Sequence, residues 1–316
     1  MNQYYSGRNS YTQPNRLRQS EPIEKFQAVR IKTPKQKQKK QKRGSCLLPL
    51  LLLLIVGCLI VLVFYLVLPT PVNFVVMGID RTPEDTALGR SDTIIMVTVQ
   101  PFKPYVGMLS VPRDLWVQIP GGGENRINTP HFFAEGNQPG SGPQALLDTI
   151  SANFQLDIPY YVRFKFEGFK DVVSAMGGVD LTLENATGGL EAGTHHLDED
   201  QALAFVRDRA GSDDFFRMER GQIFVKAVAR QMLKPATWLR LPMIGSTLLA
   251  NIDTNLPVWQ WPRIGIAVLR IGIDGIDNRT INRDFVTPFI TSEGANVLLP
   301  RWELILPLVQ EMFSIH

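Results

Sequence analysis

Charged side chains stand at the ends of three apolar runs that read as neighbouring strands in the first half of the chain. Asp80 closes the first run, and Arg90 and Asp92 precede the second. Arg113 and Asp114 follow the third. Neighbouring strand ends meet at one edge of a sheet, where α/β proteins usually bind ligands. The sequence therefore predicts that these acidic and basic groups gather in one site.

The chemistry expected of such a group is metal-assisted handling of a phosphate. Asp80 and Asp92 form a reasonable ligand pair for Mg²⁺, with Mn²⁺ as the alternative ion. Mg²⁺ is commonly held by one or two carboxylates together with waters and substrate phosphates. Surrounding arginines would neutralise a diphosphate and the charge that develops on a transferred phosphoryl group. Taken singly, each motif is more often a cap or a surface salt bridge, so the prediction rests on their combination.

Arginine is the preferred cation after residue 46, where 16 Arg stand against 5 Lys although 28 acidic residues give that region a net charge of −7. The planar guanidinium binds phosphate oxygens in pairs and keeps its charge. Four arginines fall within 14 residues: Arg207, Arg209, Arg217 and Arg220. A local arginine cluster in an acidic domain favours a focused phosphate site over a general polyanion-binding surface.

The elements that must position these residues alternate between strand and helix. Apolar patterning predicts strands at 72–79, 94–99, 105–111, 160–166, 179–183 and 264–273, and helices at 144–154, 168–176, 199–207, 217–233 and 300–313. Such alternation predicts an α/β fold.

An uncharged stretch of 22 residues, 47–68, follows seven Lys and Arg within 32–43. A helix of this length spans roughly 33 Å, enough to cross a bilayer, and the basic side stays cytoplasmic. A cleaved signal peptide is disfavoured because 46 residues precede the stretch. Lipoprotein cleavage at Cys58 is disfavoured because ten apolar residues follow it, so the cut chain would still begin inside the membrane. We expect a tail (1–45), a single transmembrane helix (46–68) and an extracytoplasmic domain (70–316).

The tail carries 12 Lys and Arg against 2 Glu and few apolar residues, which is typical of disorder. Its expected partner is the anionic headgroup surface of the membrane rather than nucleic acid. Both cysteines, Cys46 and Cys58, lie in or beside the apolar stretch, so the outer domain needs no disulfide.

Several segments resemble the LytR–CpsA–Psr family of membrane-anchored cell-wall enzymes. The matching strings, in the family's order, are VVMGID (75–80), RSDTIIM (90–96), LSVPRDLWVQIPG (109–121), RIN (126–128), GFKDVVSAMGGVDL (168–181), LDEDQALAFVRDR (197–209) and DDFFRMERGQ (213–222). One departure is Thr129-Pro130-His131 after RIN, in place of small residues, which would reshape the mouth of the site.

The resemblance implies an α/β domain with a central mixed sheet flanked by helices, its core motifs in 72–235 and an extension of the same domain in 236–316. It implies a phosphotransferase of the bacterial cell membrane that moves an anionic glycopolymer from a polyprenyl diphosphate carrier to peptidoglycan. Asp80 and Asp92 would hold Mg²⁺, and Arg90, Asp92 and Arg113 would be catalytic. The diphosphate-binding candidates are Arg90, Arg113, Arg207, Arg209, Arg217, Arg220 and, more weakly, Gln222.

Two other functions use the same residues differently. A polyprenyl-diphosphate hydrolase would take water as the acceptor, and a non-catalytic wall-binding or regulatory protein would use the site for binding alone. The sequence does not identify a general base. Asp92 or Asp114 could serve, or the reaction could need none. The sequence favours no particular polymer or oligomeric state.

Overall fold

A computed structural model describes residues 47–66, 70–80, 88–207 and 214–314 of the chain. The predicted tail (1–45) lies outside the described residues. By internal contacts the chain divides into Met1–Leu51 and Leu52–His316. Helix α1 runs from Leu47 to Leu66, and the stretch Pro49–Leu66 has a mean hydropathy of 3.0 with none of its residues buried. This helix is long and apolar enough to cross a membrane.

A six-stranded mixed sheet is the centre of the second unit. Its strands, in spatial order, are β10 (Asp277–Thr280), β3 (Tyr105–Ser110), β2 (Arg90–Gln100), β1 (Val72–Asp80), β6 (Tyr160–Lys165) and β9 (Ile252–Thr254). The pairs β1–β6 and β3–β10 are parallel, and the other three are antiparallel. The β3–β10 pair joins distant parts of the chain, and the Tyr105 hydroxyl donates to Asp277, 172 residues away.

Three two-stranded ladders surround this sheet: β4 (Trp116–Ile119) with β5 (Gly123–Arg126), β7 (Val179–Leu183) with β8 (Gly193–Leu197), and β11 (Val286–Ile290) with β12 (Asn296–Pro300). The remaining helices are α2 (Thr129–Asn137), α3 (Gly142–Phe154), α4 (Phe166–Met176), α5 (Glu199–Arg207), α6 (Asp214–Leu233), α7 (Pro235–Trp238), α8 (Leu241–Asn251), α9 (Trp261–Ile271) and α10 (Trp302–Phe313). Two short 3-10 helices lie at Val258–Gln260 and Arg283–Phe285.

Both faces of the sheet are buried, as the unbroken apolar run of β2 requires. Ile94 and Met96 point to a core shared with helices α3 and α10. Ile95 and Val97 point to the opposite core, shared with α9. A further core joins α4, β7, β8, α5, α6 and α8. The predicted α/β fold with a central mixed sheet flanked by helices is confirmed.

The prediction of a strand at 264–273 is wrong, because this segment lies in helix α9 and the turn after it. Ile264, Ala267, Val268 and Ile271 are spaced at three and four residues, and all pack into the core on the α9 side of the sheet. The run IGIAVLRIGI fits both a strand and one face of a helix, so periodicity alone does not separate them. A proline in the first helical turn, Pro262, is the local signal for the helix.

The charged segment before the second apolar run also differs from expectation. Arg90, Ser91 and Asp92 were expected to precede that strand, yet they are its first three residues. They pair with the end of β1, where the backbone of Asp80 lies opposite Arg90. This pairing brings the first two charged segments to one end of the sheet.

Candidate functional site

A cavity of about 600 Å³ lies where β2 begins, and its lining combines charged and polar groups. The lining residues are Leu88, Gly89, Arg90, Asp92, Arg113, Asp114, Arg126, Asn128, Phe132 and Asn296. The three residues predicted to be catalytic, Arg90, Asp92 and Arg113, are therefore together in one cavity. They arrive from the start of β2 and from the turn between β3 and β4.

Asp92 occupies a β-bulge. Gly78 pairs with Thr93 and Ile79 pairs with Ser91, so Asp92 is the extra residue on its strand. A bulge breaks the alternation of side chains and re-aims the residue that it carries. Gly78 permits this close packing, because a Cβ there would lie 3.1 Å from the Phe164 ring and 3.2 Å from Thr93 Cβ.

Aspartates and arginines alternate along the wall of the cavity. Arg113 Nη1 lies 3.2 Å from Asp92 Oδ1, and its Nε lies 3.5 Å from Asp114 Oδ2. Arg126 Nε lies 3.1 Å from the other Asp114 oxygen, and its Nη2 donates to the Asn296 carbonyl at 2.8 Å. Side chains of both aspartates and both arginines are partly exposed. These contacts place both guanidinium groups in the wall of the cavity, where they are accessible to a ligand.

Asn128 adds a neutral oxygen to this charged lining. The residue is 2% exposed, and its Oδ1 accepts no hydrogen bond from the part of the chain that the structure describes. A buried carbonyl oxygen without a donor is unfavourable in an apolar surrounding, so such a group in a ligand cavity marks a binding position. Arg126 and Asn128 were not predicted as site residues, although both lie in the RIN string that carries the resemblance.

Helix α6 reaches the site through Arg217, whose Nη2 donates to the Asp92 carbonyl at 3.0 Å. Gln222, on the same helix, is buried, and its amide donates to Ser110 Oγ at 2.9 Å and to the Arg279 carbonyl at 2.7 Å. In this arrangement Gln222 ties α6 to strands β3 and β10, and its side-chain nitrogen is already engaged.

Two more of the predicted arginines lie around a second cavity, of about 690 Å³. Arg207 lines it beside Gly188 and Phe205. Arg220 is buried, and a Cβ at Gly188 would lie 2.9 Å from its Cδ. Arg209 lies outside the described residues, and only the backbone of Asp80 is described.

A buried histidine, His131, contacts Gly89, the residue before Arg90. His131, at the start of α2, is fully buried, and its Nδ1 lies 2.9 Å from the Gly89 carbonyl. Its Nε2 lies 3.3 Å from Arg163 Nη1. Arginine is always a donor, so Nε2 accepts and Nδ1 carries the proton that it donates to Gly89. The departure at 129–131 is thus the start of helix α2, which contacts Gly89 in the lining of the cavity.

Glu135 completes this cluster one turn further along α2. It accepts hydrogen bonds from the Gly140 and Gly142 amides at 2.9 and 3.0 Å, and from Arg163 Nη1 at 3.0 Å. Burial raises the pKa of Glu135, but the two backbone hydrogen bonds and Arg163 outweigh it, so its pKa lies below the usual 4.5. The carboxylate is therefore held in its charged form.

The pKa of His131 also lies below its ordinary value of 6.5, in this case because burial disfavours the charged ring. The unfolded chain then binds a proton at His131 that the folded chain does not, so stability is lost as the pH falls below about 6.5. The loss approaches about 1.4 kcal/mol per pH unit for one such group. His131→Asn retains a donor for Gly89 without the titrating ring. We expect its melting temperature to fall less than that of the unchanged protein between about pH 7 and pH 5.5.

The control for this measurement is His195→Asn, at a half-buried histidine of β8. It removes a histidine of β8 that does not contact the Gly89, Glu135 and Arg163 cluster. Equal pH dependence in the unchanged protein and in His131→Asn would show that other groups cause the acid destabilisation.

The fold and the cavity define an α/β protein with alternating aspartates and arginines in a cavity at one end of its mixed sheet. A model of the LytR_cpsA_psr family matches residues 27–300, and the chain belongs to this family.

Curated relatives in this family are teichoic acid transferases by name. The chain is 35% identical over 192 residues to the polyisoprenyl-teichoic acid–peptidoglycan teichoic acid transferase TagU of Oceanobacillus iheyensis, a match that covers 58% of this chain and 59% of TagU. It is 29% identical over 219 residues to the transferase TagV of Bacillus subtilis, covering 64% and 53%. The chain thus spans little more than half the length of the curated relatives that it matches.

Solved structures share the fold. B. subtilis TagV superposes with a TM-score of 0.63 at 24% identity, covering 78% of this chain and 99% of TagV. TagT bound to LIIa-WTA superposes with a TM-score of 0.60 at 23% identity, covering 77% and 89%.

Proposed function

We propose that this protein is a phosphotransferase that moves an anionic glycopolymer from a polyprenyl diphosphate carrier to peptidoglycan, outside the bacterial cell membrane. Membership of the LytR_cpsA_psr family and the names of the TagU and TagV relatives support this class of reaction. The observation that carries the proposal is the alternating row Asp92, Arg113, Asp114 and Arg126 along one cavity wall. The two arginines of this row present paired N–H donors that suit phosphate oxygens.

The residues then divide the work by position. Arg90 and Arg113 line the cavity and bind the diphosphate, with Arg126 beside them. Arg217 holds the backbone of Asp92 and thereby orients its carboxylate. Charge fixed before the reaction stabilises the transition state without later rearrangement of the site, which is the main source of catalysis in phosphoryl transfer. Arg207, Arg209 and Arg220 remain candidates for contacts with the rest of the donor.

The lining also fits a magnesium ion, with Mn²⁺ as the alternative. Asp92 offers a carboxylate, and Asn128 offers a buried amide oxygen that no donor in the described part of the chain reaches. The Asp80 backbone pairs opposite Arg90. Within the described ranges no cluster of three or more His, Cys, Asp or Glu could hold a metal. Mg²⁺ needs no such cluster, because waters and substrate phosphates complete its shell. When bound by Asp80, Asp92 and Asn128, the ion would neutralise charge on the diphosphate.

The transfer itself requires a new bond from a peptidoglycan hydroxyl oxygen to the sugar-linked phosphorus. The bond from that phosphorus to the bridging oxygen breaks, and polyprenyl phosphate leaves. Asp92 and Asp114 are the carboxylates of the cavity that could take the hydroxyl proton. The arginines stabilise the charge that spreads over the phosphoryl oxygens.

The site belongs on the outer side of the membrane. Helix α1 provides the span, and the basic residues before it keep the N-terminus in the cytoplasm. A lipid-linked donor stays in the same bilayer as the anchor, so anchoring raises the chance that the two meet.

Reconstitution of the full chain in vesicles tests this function. The assay contains a polyprenyl-diphosphate-linked glycan, peptidoglycan fragments and Mg²⁺, and follows covalent transfer beside release of polyprenyl phosphate. We expect transfer that stops on chelation of Mg²⁺ and is restored by Mg²⁺ or Mn²⁺. Asp92→Asn is expected to lower it strongly, whereas Arg230→Ala, on the far part of α6 in an exposed pair with Asp274, is expected to leave it unchanged. Carrier cleavage without transfer would instead identify a hydrolase, and diphosphate binding without turnover a binding or regulatory protein.

A further inference from the structure

Outside helix α1, exposed apolar side chains concentrate in the segment 238–259, which the proposed reaction does not use. We call the following six residues of α7, α8, their link and the 3-10 helix at 258–260 the interfacial patch: Trp238, Leu239, Met243, Leu249, Val258 and Trp259. Leu239 is 90% exposed, and Leu249 and Val258 are each 68% exposed. Single exposed apolar residues are ordinary, but a segment this rich in them marks an interaction surface.

The end of helix α1 contacts this segment. The Tyr65 hydroxyl donates to the Trp259 carbonyl at 3.0 Å. Arg263 lies over the Tyr65 ring, 5.4 Å from its centre, and its Nη2 donates to the Thr70 carbonyl at 2.7 Å. Arg263 is only 2% exposed, so these contacts are buried. They join the last turn of α1 to the start of α9.

The turn between β2 and β3 lies at the same end of the sheet. Val72, the first residue of β1 after the junction, pairs with Val99 near the end of β2. The turn that follows carries Phe102, which is 58% exposed, beside Lys103. The cavity lies at the opposite end of these two strands, where Asp80 pairs with Arg90.

The charges of the segment suit a lipid surface. Between residues 235 and 262 the sequence has one basic residue, Arg240, and one acidic residue, Asp253. Asp253 is engaged by the buried Arg163. Tryptophans beside aliphatic side chains, in a segment of so little charge, are typical of the boundary between headgroups and acyl chains.

The geometry points to a second membrane contact: we infer that the interfacial patch lies in the outer leaflet of the bilayer that α1 spans. This inference rests on the proposed membrane topology and commits to lipid as the occupant. Two points of attachment would hold the domain in a fixed orientation, whereas a single helix would leave it free to turn above the surface. The junction of Tyr65, Thr70 and Arg263 makes the two points one unit.

Quenching of tryptophan fluorescence by brominated lipid tests the patch in the full chain. The protein is reconstituted in phosphatidylcholine–phosphatidylglycerol vesicles whose phosphatidylcholine carries bromine on acyl carbons near the headgroup. We expect quenching in the unchanged protein, loss of most of it in the double variant Trp238→Phe, Trp259→Phe, and its retention in Trp116→Phe. Trp116 is in β4 and bonds to Glu124, outside the patch. Equal quenching in the two variants contradicts the inference.

Leu239→Asp gives a second readout, because a side chain that is 90% exposed contributes little to packing. We expect unchanged melting in detergent and weaker quenching in vesicles. The control is Ile290→Asp, because Ile290 is 64% exposed and lies on β11, outside the patch. Brominated lipid should quench the fluorescence of this variant as it does that of the unchanged protein. Resistance to alkaline extraction, measured on each sample, reports the span separately. If alkali extracts the protein from the vesicles, both the proposed topology and this inference are wrong. If the protein stays in the membrane but its fluorescence is not quenched, only the inference is wrong. Self-association through the patch, detected by concentration-dependent cross-linking in place of quenching, would assign it to a second copy.

Discussion

Replacement of Arg113 by alanine is expected to lower the rate of glycan transfer by about 10²- to 10³-fold, the usual effect of removing one preorganised charge-stabilising group. Arg113 lies in the lining of the cavity between Asp92 and Asp114, 3.2 Å from one carboxylate and 3.5 Å from the other. Its loss removes positive charge where phosphoryl charge develops and leaves Asp92 without its ion pair. The measurement is single-turnover transfer by the reconstituted full chain.

Arg113→Lys separates charge from geometry. Lysine keeps the charge but presents it at one point, so it cannot bridge two carboxylates or bind two phosphate oxygens in parallel. We expect this variant to recover only a small part of the lost rate. Arg230→Ala serves as the matched surface control. Transfer by Arg113→Ala within a few fold of the unchanged protein would remove Arg113 from the catalytic group.

The second large effect is on stability: Glu135→Gln is expected to lower the free energy of unfolding by about 3 kcal/mol, the lower end of the range for breaking a buried ion pair. Glu135 is 7% exposed and Arg163 is 8% exposed, so the guanidinium would lose its buried partner and keep an ion pair only with the half-exposed Asp253. The variant would also weaken the acceptor for the Gly140 and Gly142 amides. For a domain of this size the change corresponds to a drop of about 6–12 °C in melting temperature.

Glu303→Gln is the matched control, because Glu303 forms an exposed pair with Arg301. Such pairs contribute about 0–1 kcal/mol, so its melting temperature should change little. Equal effects of Glu135→Gln and Glu303→Gln would show that the Glu135–Arg163 pair does not stabilise the fold.

The alternating elements of the fold could be predicted because long apolar runs and helix patterns are local properties. β1, β3 and α3 therefore agree with expectation to within two residues. Helix α9 could not be separated from a strand, because its isoleucines satisfy both periods. Short strands such as β9 and β10 carry little pattern of their own, and pairing with the central sheet defines them.

The site was predictable to the extent that its residues stand at strand ends. Arg90, Asp92 and Arg113 share one cavity, as expected of charges that flank neighbouring strands. Asn128 and Arg126 were missed because their contribution depends on a hairpin that returns the chain to Asp114. The position of Asp92 on a bulge also depends on the partner strand β1, so the sequence of β2 alone does not predict the bulge.

The pairing of β3 with β10 has a consequence for biosynthesis. Chains grow from the amino terminus, so β3 is made long before its partner β10. Asp277 of β10, which accepts the hydrogen bond of the Tyr105 hydroxyl, is made 172 residues later. Until then one edge of the sheet offers unpaired amides and carbonyls, which invite pairing with other chains. Gln222 bonds both Ser110 and Arg279, so the last step also locks α6 onto the sheet. A nascent chain that stalls before residue 277 would therefore be a substrate for chaperones and proteases rather than a smaller working protein.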